Sequence, residues 1–177
     1  MERAFITECR DLLREQYLPK IERCLERLDD ETIWWRPNSE VNCVGNLVLH
    51  LSGNLRHWLV SGVGGAPSQR NRDAEFDANI RVTRRELLMT LKQAVGDADE
   101  VLAKLEPSTL TTEREIRGRN VSVFYAVMHV TEHFSMHTGQ IILLTKIIRA
   151  ESLDFYDFSP GAPLRNWHTP FKTGYST

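Results

Sequence analysis

Sulfur is scarce in this chain. Its three cysteines, Cys9, Cys24 and Cys43, are odd in number and far apart, with no Cys-x-x-Cys pair. That spacing excludes a dense disulfide scaffold and a cysteine-rich zinc site, and it suits reduced thiols in a cytoplasm. Long apolar runs are missing too. No stretch of about 18 apolar residues occurs, so nothing is expected to span a membrane. The opening Met1-Glu-Arg-Ala-Phe-Ile lacks the basic segment and apolar run of a signal peptide, which again suits a cytoplasmic protein. An excess of one charge is likewise absent: 22 basic residues are scattered among 24 acidic ones, for a formal net charge of -2. That balance gives neither nucleic acid nor an anionic membrane an electrostatic reason to bind. The clusters Arg81, Arg84, Arg85 and Arg114, Arg117, Arg119 are short and read as solvated helix ends or loops. There is no internal repeat and no low-complexity tract.

What is present is an ordinary globular composition, 41% hydrophobic and 26% charged, in a length that suits one domain with one core over residues 1–177. Phe5, Leu12, Leu13, Tyr17, Leu18, Ile21, Cys24 and Leu25 recur at helical spacing and predict a first helix over 2–28. Pro19 is expected to bend or split it near Tyr17. A connector follows, in which Trp34 and Trp35 are expected to seal the core. A second helix is expected over 42–61, stopped by Gly62-Val-Gly-Gly-Ala-Pro67. The polar stretch 68–77 reads as a loop. Thr83-Arg-Arg-Glu86 is a capping box that opens a third helix running to about Leu105. Thr111–Arg117 alternates and suits a short extended segment. The fourth helix is expected over 121–150, with Asn120 as its N-cap. Four helices with long connections make the fold all-α, a four-helix bundle. The tail from about Glu151 carries Phe155, Tyr156, Phe158, Trp167 and Phe171, and so many aromatics are expected to pack on the bundle or on a second subunit.

Histidine carries the chemistry. Of six histidines, His129, His133 and His137 fall on the fourth helix, with His129 and His137 each about 40° to either side of His133, on an apolar stripe that faces the core. The second helix shows a matching narrow polar stripe. Cys43, Asn46, Asn54, His57 and Ser61 lie within about 40° of His50 on it. Solvent faces carry Lys and Glu, so this stripe reads as the wall of an internal polar cavity. A buried polar group without a partner costs on the order of 1–3 kcal/mol, and a metal ion would satisfy several imidazoles at once. His129 and His137 are about 12 Å apart along the axis, and His50 and His57 about 10 Å, so each pair is too long to share one ion. Spacing therefore leaves four combinations: His50 or His57, with His133 and either His129 or His137. Zn²⁺, Ni²⁺ and Fe²⁺ all suit a three-histidine site with open positions. Glu132, about 100° off the stripe, is a poor fourth ligand.

The segment His129-Val-Thr-Glu-His133-Phe-Ser-Met-His137-Thr-Gly-Gln140 resembles the last-helix signature of the DinB superfamily of metal-binding four-helix bundles. Asn46-Leu-Val-Leu-His50-Leu-Ser-Gly-Asn54 resembles its second-helix partner, and Trp35-Arg-Pro its connector. The resemblance covers the chain to about Ala150. It implies His50, His133 and His137 as ligands of a divalent metal ion, and leaves His129 beside them. The family usually carries Arg after the last histidine, where this chain has Thr138. It also implies a function: DinB-like proteins include thiol-dependent S-transferases and isomerases that use small-molecule thiols, and some hydrolases. A metal-dependent thiol transferase acting on a small-molecule substrate is therefore expected, with Asn46, Asn54, His57 and His129 lining its pocket. The alternatives are a non-catalytic bundle that the metal staples together, serving a structural or stress-associated role, and a metal-dependent hydrolase. A homodimer fits both the aromatic tail and the resemblance.

Overall fold

A proline in the first helix costs the carbonyl four residues before it a backbone partner, and the tail of the chain supplies the replacement. In a computed structural model that describes residues 1–68, 70–77, 79–159, 161 and 164–168, the helix runs without a break. It comprises α1 (Glu2–Asp11), a π-helical stretch Leu12–Tyr17 and α2 (Leu18–Glu26). The expected split is absent because the widened turn absorbs Pro19, with the amide of Leu18 reaching back five residues to Leu13. Pro19 has no N–H to offer Glu15, and the indole of Trp167 donates to that carbonyl at 2.7 Å instead. Trp167 is buried, and Lys20 lies 4.2 Å from its ring centroid. Arg23, also buried, donates to the carbonyls of Leu153, Asp154 and Asn166 at 3.2, 2.9 and 2.6 Å. The described part of the tail thus lies on the first helix. Phe171 falls outside the described residues.

The second helix starts two residues later than expected and ends two residues later. α3 (Val44–Leu55) is capped by Cys43, whose sulfur accepts from the amide of Asn46, and it continues as a π-helical stretch Arg56–Val63. Of the two tryptophans before it, Trp34 packs against the core and donates to the carbonyl of Val82 at 3.2 Å. Trp35 is 40% exposed and does not seal the core. Within the polar stretch 68–77 the chain forms a short helix, α4 (Arg72–Glu75), with Asn71 as its cap. The capping box is present at the start of α5 (Arg84–Lys104).

The extended segment belongs to a hairpin. β1 (Glu113–Ile116) pairs antiparallel with β2 (Arg119–Ser122), joined by Arg117 and Gly118, both at positive φ (57° and 71°). Because Asn120 is inside β2, opposite Glu115, it cannot cap the last helix. That role falls to Ser122, whose hydroxyl accepts from the amide of Tyr125 at the start of α6 (Val123–Arg149). The four long helical segments share one apolar core, in which Ile21, Leu25, Leu51, Leu55, Leu87, Leu91, Phe134 and Ile141 are fully buried. The fold is a helical bundle. None of its described helices is long and apolar enough to cross a membrane.

Candidate metal centre

His50 projects from α3, and His133 and His137 from successive turns of α6. Their nearest ring nitrogens all lie within 4.8 Å of one another. Nε2 of His133 is 3.2 Å from Nε2 of His50 and 3.2 Å from Nε2 of His137. Two nitrogens held roughly 2.0–2.1 Å from one ion at a tetrahedral angle stand about 3.3 Å apart, so the spacing fits a shared ion. Hydrogen bonds alone do not account for it. A single proton on Nε2 of His133 can bridge to only one neighbour.

Outer contacts fix which nitrogen of each ring faces inward. Nδ1 of His50 lies 2.8 Å from Oε2 of Glu75, and Nδ1 of His137 lies 2.6 Å from Oε1 of Gln140. Each acceptor calls for a proton on Nδ1, which leaves the Nε2 lone pair pointing into the cluster. Nη2 of Arg70 also approaches Nδ1 of His50, at 3.2 Å. The shorter contact to a carboxylate decides the tautomer, and Arg70 is already satisfied by Glu75, to which it donates twice at 2.6 and 2.8 Å. For His133 no outer partner exists among the described residues: its Nδ1 is buried and unbonded.

Electrostatics favour neutral rings. Burial, then the proximity of His137, His50 and His129, pushes His133 down to about 3. Burial likewise lowers His137, against the opposing effect of the hydrogen bond it donates to Gln140. Neutral imidazoles with converging lone pairs are the donor set a divalent ion needs. For Glu75, burial works to raise the carboxyl, but hydrogen bonds from Arg70 and His50 and the charge of Arg70 outweigh it and hold the group below its ordinary range.

The resemblance read from the sequence meets two comparisons. A family described as "Protein of unknown function (DUF1572)" matches residues 1–161. The chain belongs to that family. Its fold is similar to the crystal structure of a DinB-like protein from Bacillus cereus, with a TM-score of 0.60 at 17% identity over 75% of this chain and 85% of that one. A helical bundle of DinB-like fold is therefore shown, with a histidine group able to hold a metal ion. No curated protein matches the chain.

In this DUF1572 protein the other polar residues of the two stripes take separate places. Asn46 is fully buried and spends its side chain on structure: it accepts from Arg36 at 2.6 Å and from Cys43 at 2.8 Å, and donates to the carbonyl of Glu75 at 2.8 Å. It holds α4 in place and does not line the cavity at the histidines. Asn54 is buried at 5% exposure on α3 and is likewise not part of that lining. His57 turns away, with Nδ1 3.0 Å from the hydroxyl of Ser68. His129 sits behind His133, its ring 5.6 Å away and flanked by Trp58 and Tyr125 at 4.5 and 5.8 Å. Thr138 is buried and donates back to the carbonyl of Phe134, so it presents nothing to the site.

Glu75 and Arg70 are what sequence reasoning missed. Both lie in a polar connector without periodicity. One signal was available: a ligating histidine needs an outer carboxylate or carbonyl, and Glu75 ends a run whose Asn71 can cap a turn. The cavity at the histidines, about 480 Å³, is lined by Asn42, His50, Arg72, Asp73, Phe76, His133 and His137. His50 is buried, while the two α6 histidines are only half-buried and face that mouth.

Proposed function

We propose that His50, His133 and His137 hold a divalent metal ion and that the protein is a metal-dependent enzyme, a transferase that acts with a small-molecule thiol. The observation that carries this reading is the convergence of three Nε2 lone pairs at the floor of an open cavity. A structural zinc site closes its coordination sphere with four protein ligands. Here the group among the described residues has three, which leaves room for a ligand from solution. Bound there, the ion supplies Lewis acidity that lowers the pKa of a coordinated thiol or water.

The chain's own residues do the positioning. Glu75 and Gln140 orient His50 and His137, Arg70 and Asn46 hold Glu75, and Phe76 packs 4.8 Å from the His50 ring and covers one side. Arg72 and Asp73 offer charges of both signs at the mouth. The thiol is the part of the reading that rests on the sequence resemblance. Zn²⁺, Ni²⁺ and Fe²⁺ all accept this donor set.

Elemental analysis of the purified protein should find about one divalent ion per chain, lost in His50→Ala. Electrophiles are then screened with several low-molecular-weight thiols, with and without chelator. Activity that requires a thiol and disappears on chelation supports the transferase. Chelator-sensitive hydrolysis without thiol would replace it with a hydrolase, and a fourth protein ligand in a metal-loaded crystal would make the ion a staple.

A further inference from the structure

Beside the histidine cluster lies a second polar cavity that metal binding does not use. Its volume is about 380 Å³ and its walls are His57, Ser68, Arg70, Arg72 and Arg117. Those five residues include three guanidiniums and no carboxylate. Arg70 is neutralised by Glu75. Arg72 and Arg117 make no hydrogen bond or ion pair with described residues; Arg72 only lies over the Phe76 ring, 4.9 Å from its centroid. Nε2 of His57 is buried and unbonded among the described residues, while its Nδ1 is held by Ser68. Burial, then the positive field of Arg70 and Arg117, pushes the His57 imidazole below its ordinary range.

With Arg70 paired to Glu75, Arg72 and Arg117 remain as like charges without a counter-charge among the lining residues; such charges repel one another, and an anion placed between them removes that cost. The backbone points the same way. Arg117 occupies a left-handed position (φ 57°) in a two-residue hairpin turn, where Asn, Asp or Gly sits with less strain. Arg72 also lines the cavity at the histidines, so the two spaces share a wall.

We propose that this pocket binds an oxyanion, a phosphate, sulfonate or carboxylate group, carried by the substrate of the neighbouring three-histidine site, with Arg72 and Arg117 as its ligands. The assignment to a substrate rests on the enzyme reading above. Binding of the anion itself does not require the metal.

Inorganic phosphate and sulfate serve as probes. Each is titrated by calorimetry into the protein as purified and after chelation, with amide shifts recorded around Ser68 and Gly118. Saturable binding is expected in both states, weakened roughly tenfold or more in Arg117→Asn and Arg72→Gln. Because Asn suits the turn better than Arg, Arg117→Asn should melt no lower than the parent, so lost binding is not lost folding. Undiminished affinity in Arg117→Asn, or no saturable binding at all, overturns the pocket. Binding that chelation abolishes and Arg117→Asn leaves alone puts the anion on the metal, which overturns the pocket but not the metal centre. Arginine-dependent binding in a protein that holds no metal supports the pocket and removes the enzyme reading.

Discussion

His50 and Glu75 are joined by a 2.8 Å contact between Nδ1 and Oε2, and both side chains are nearly fully enclosed. The carboxylate does two things there: it fixes the tautomer that turns Nε2 inward, and it makes that nitrogen a better donor. Glu75→Gln keeps the size and an acceptor but removes the charge. Metal affinity should fall by roughly 10- to 100-fold, read by competition with a chromophoric chelator. Gln is the useful replacement, since it still offers Arg70 an acceptor, whereas Ala would leave that guanidinium with neither counter-charge nor acceptor and cost about 3–5 kcal/mol of fold. Equal affinity in the two proteins would mean that Glu75 tunes nothing.

Metal-free protein should lose stability on acidification. The folded state holds His133 at about 3, whereas an unfolded histidine titrates near about 6.5. Between those values the unfolded chain binds the proton and the native chain does not. Stability is therefore complete above about pH 6.5 and drains as pH falls, by at most about 1.4 kcal/mol per pH unit for each such group. His137, His129 and His57 are lowered as well and add smaller amounts in the same direction. Urea melts in the presence of chelator from about pH 7.5 to about pH 5 test this. His133→Gln should flatten the profile, and a slope that it leaves unchanged would assign the effect to other groups.

The histidines were legible because a helix converts spacing into direction: His133 and His137 had to share a face, and the polar stripe around His50 had to oppose one. Spacing alone did not choose between His50 and His57; the resemblance did, and the structure brings His50 to the pair. Helix ends were read less well. Asn120 looked like a cap because nothing local shows that β2 continues to Ser122, a fact settled by pairing with β1. Pro19 promised a bend or a split, and a π turn avoided the split. Glu75 stayed hidden for a different reason. Its partners, Asn46, His50 and Arg70, are brought to it by tertiary packing, and a four-residue helix has too little periodicity to announce a buried face.

Arg23 should govern the tail without touching the metal centre. Its guanidinium satisfies three carbonyls of the segment after Glu151. Replacing it with Met keeps the apolar stem and removes charged hydrogen bonds worth roughly 1.5–3 kcal/mol each. Hydrogen exchange in the segment around Leu153 and Asn166 should accelerate by about tenfold or more in Arg23→Met, while metal affinity stays within about twofold of the parent. Protection that does not change would show that Trp167 and its bond to Glu15 suffice.

Gly53 offers a test in which the sign of the effect is itself informative. Inside a helix, Gly→Ala ordinarily stabilises by about 0.5–1 kcal/mol. At Gly53 of α3 a Cβ would overlap Oε1 of Glu75 and lie 2.9 Å from its Cδ and 3.2 Å from Nε of Arg70. The ion pair has little room to retreat, since Asn46 holds the Glu75 backbone and Arg70 is bonded at two points. Gly53→Ala should therefore destabilise by about 1–3 kcal/mol, the usual cost of overpacking, and should weaken metal binding because Glu75 is displaced from His50. Gly96 on α5 is the control: a Cβ there meets nothing within 4 Å, so Gly96→Ala should stabilise and leave metal binding alone. Thermal melts and chelator competition on the two variants separate propensity from packing. If Gly53→Ala behaves like Gly96→Ala in both assays, Glu75 is not wedged against α3 and its hold on His50 is not the support assigned to it.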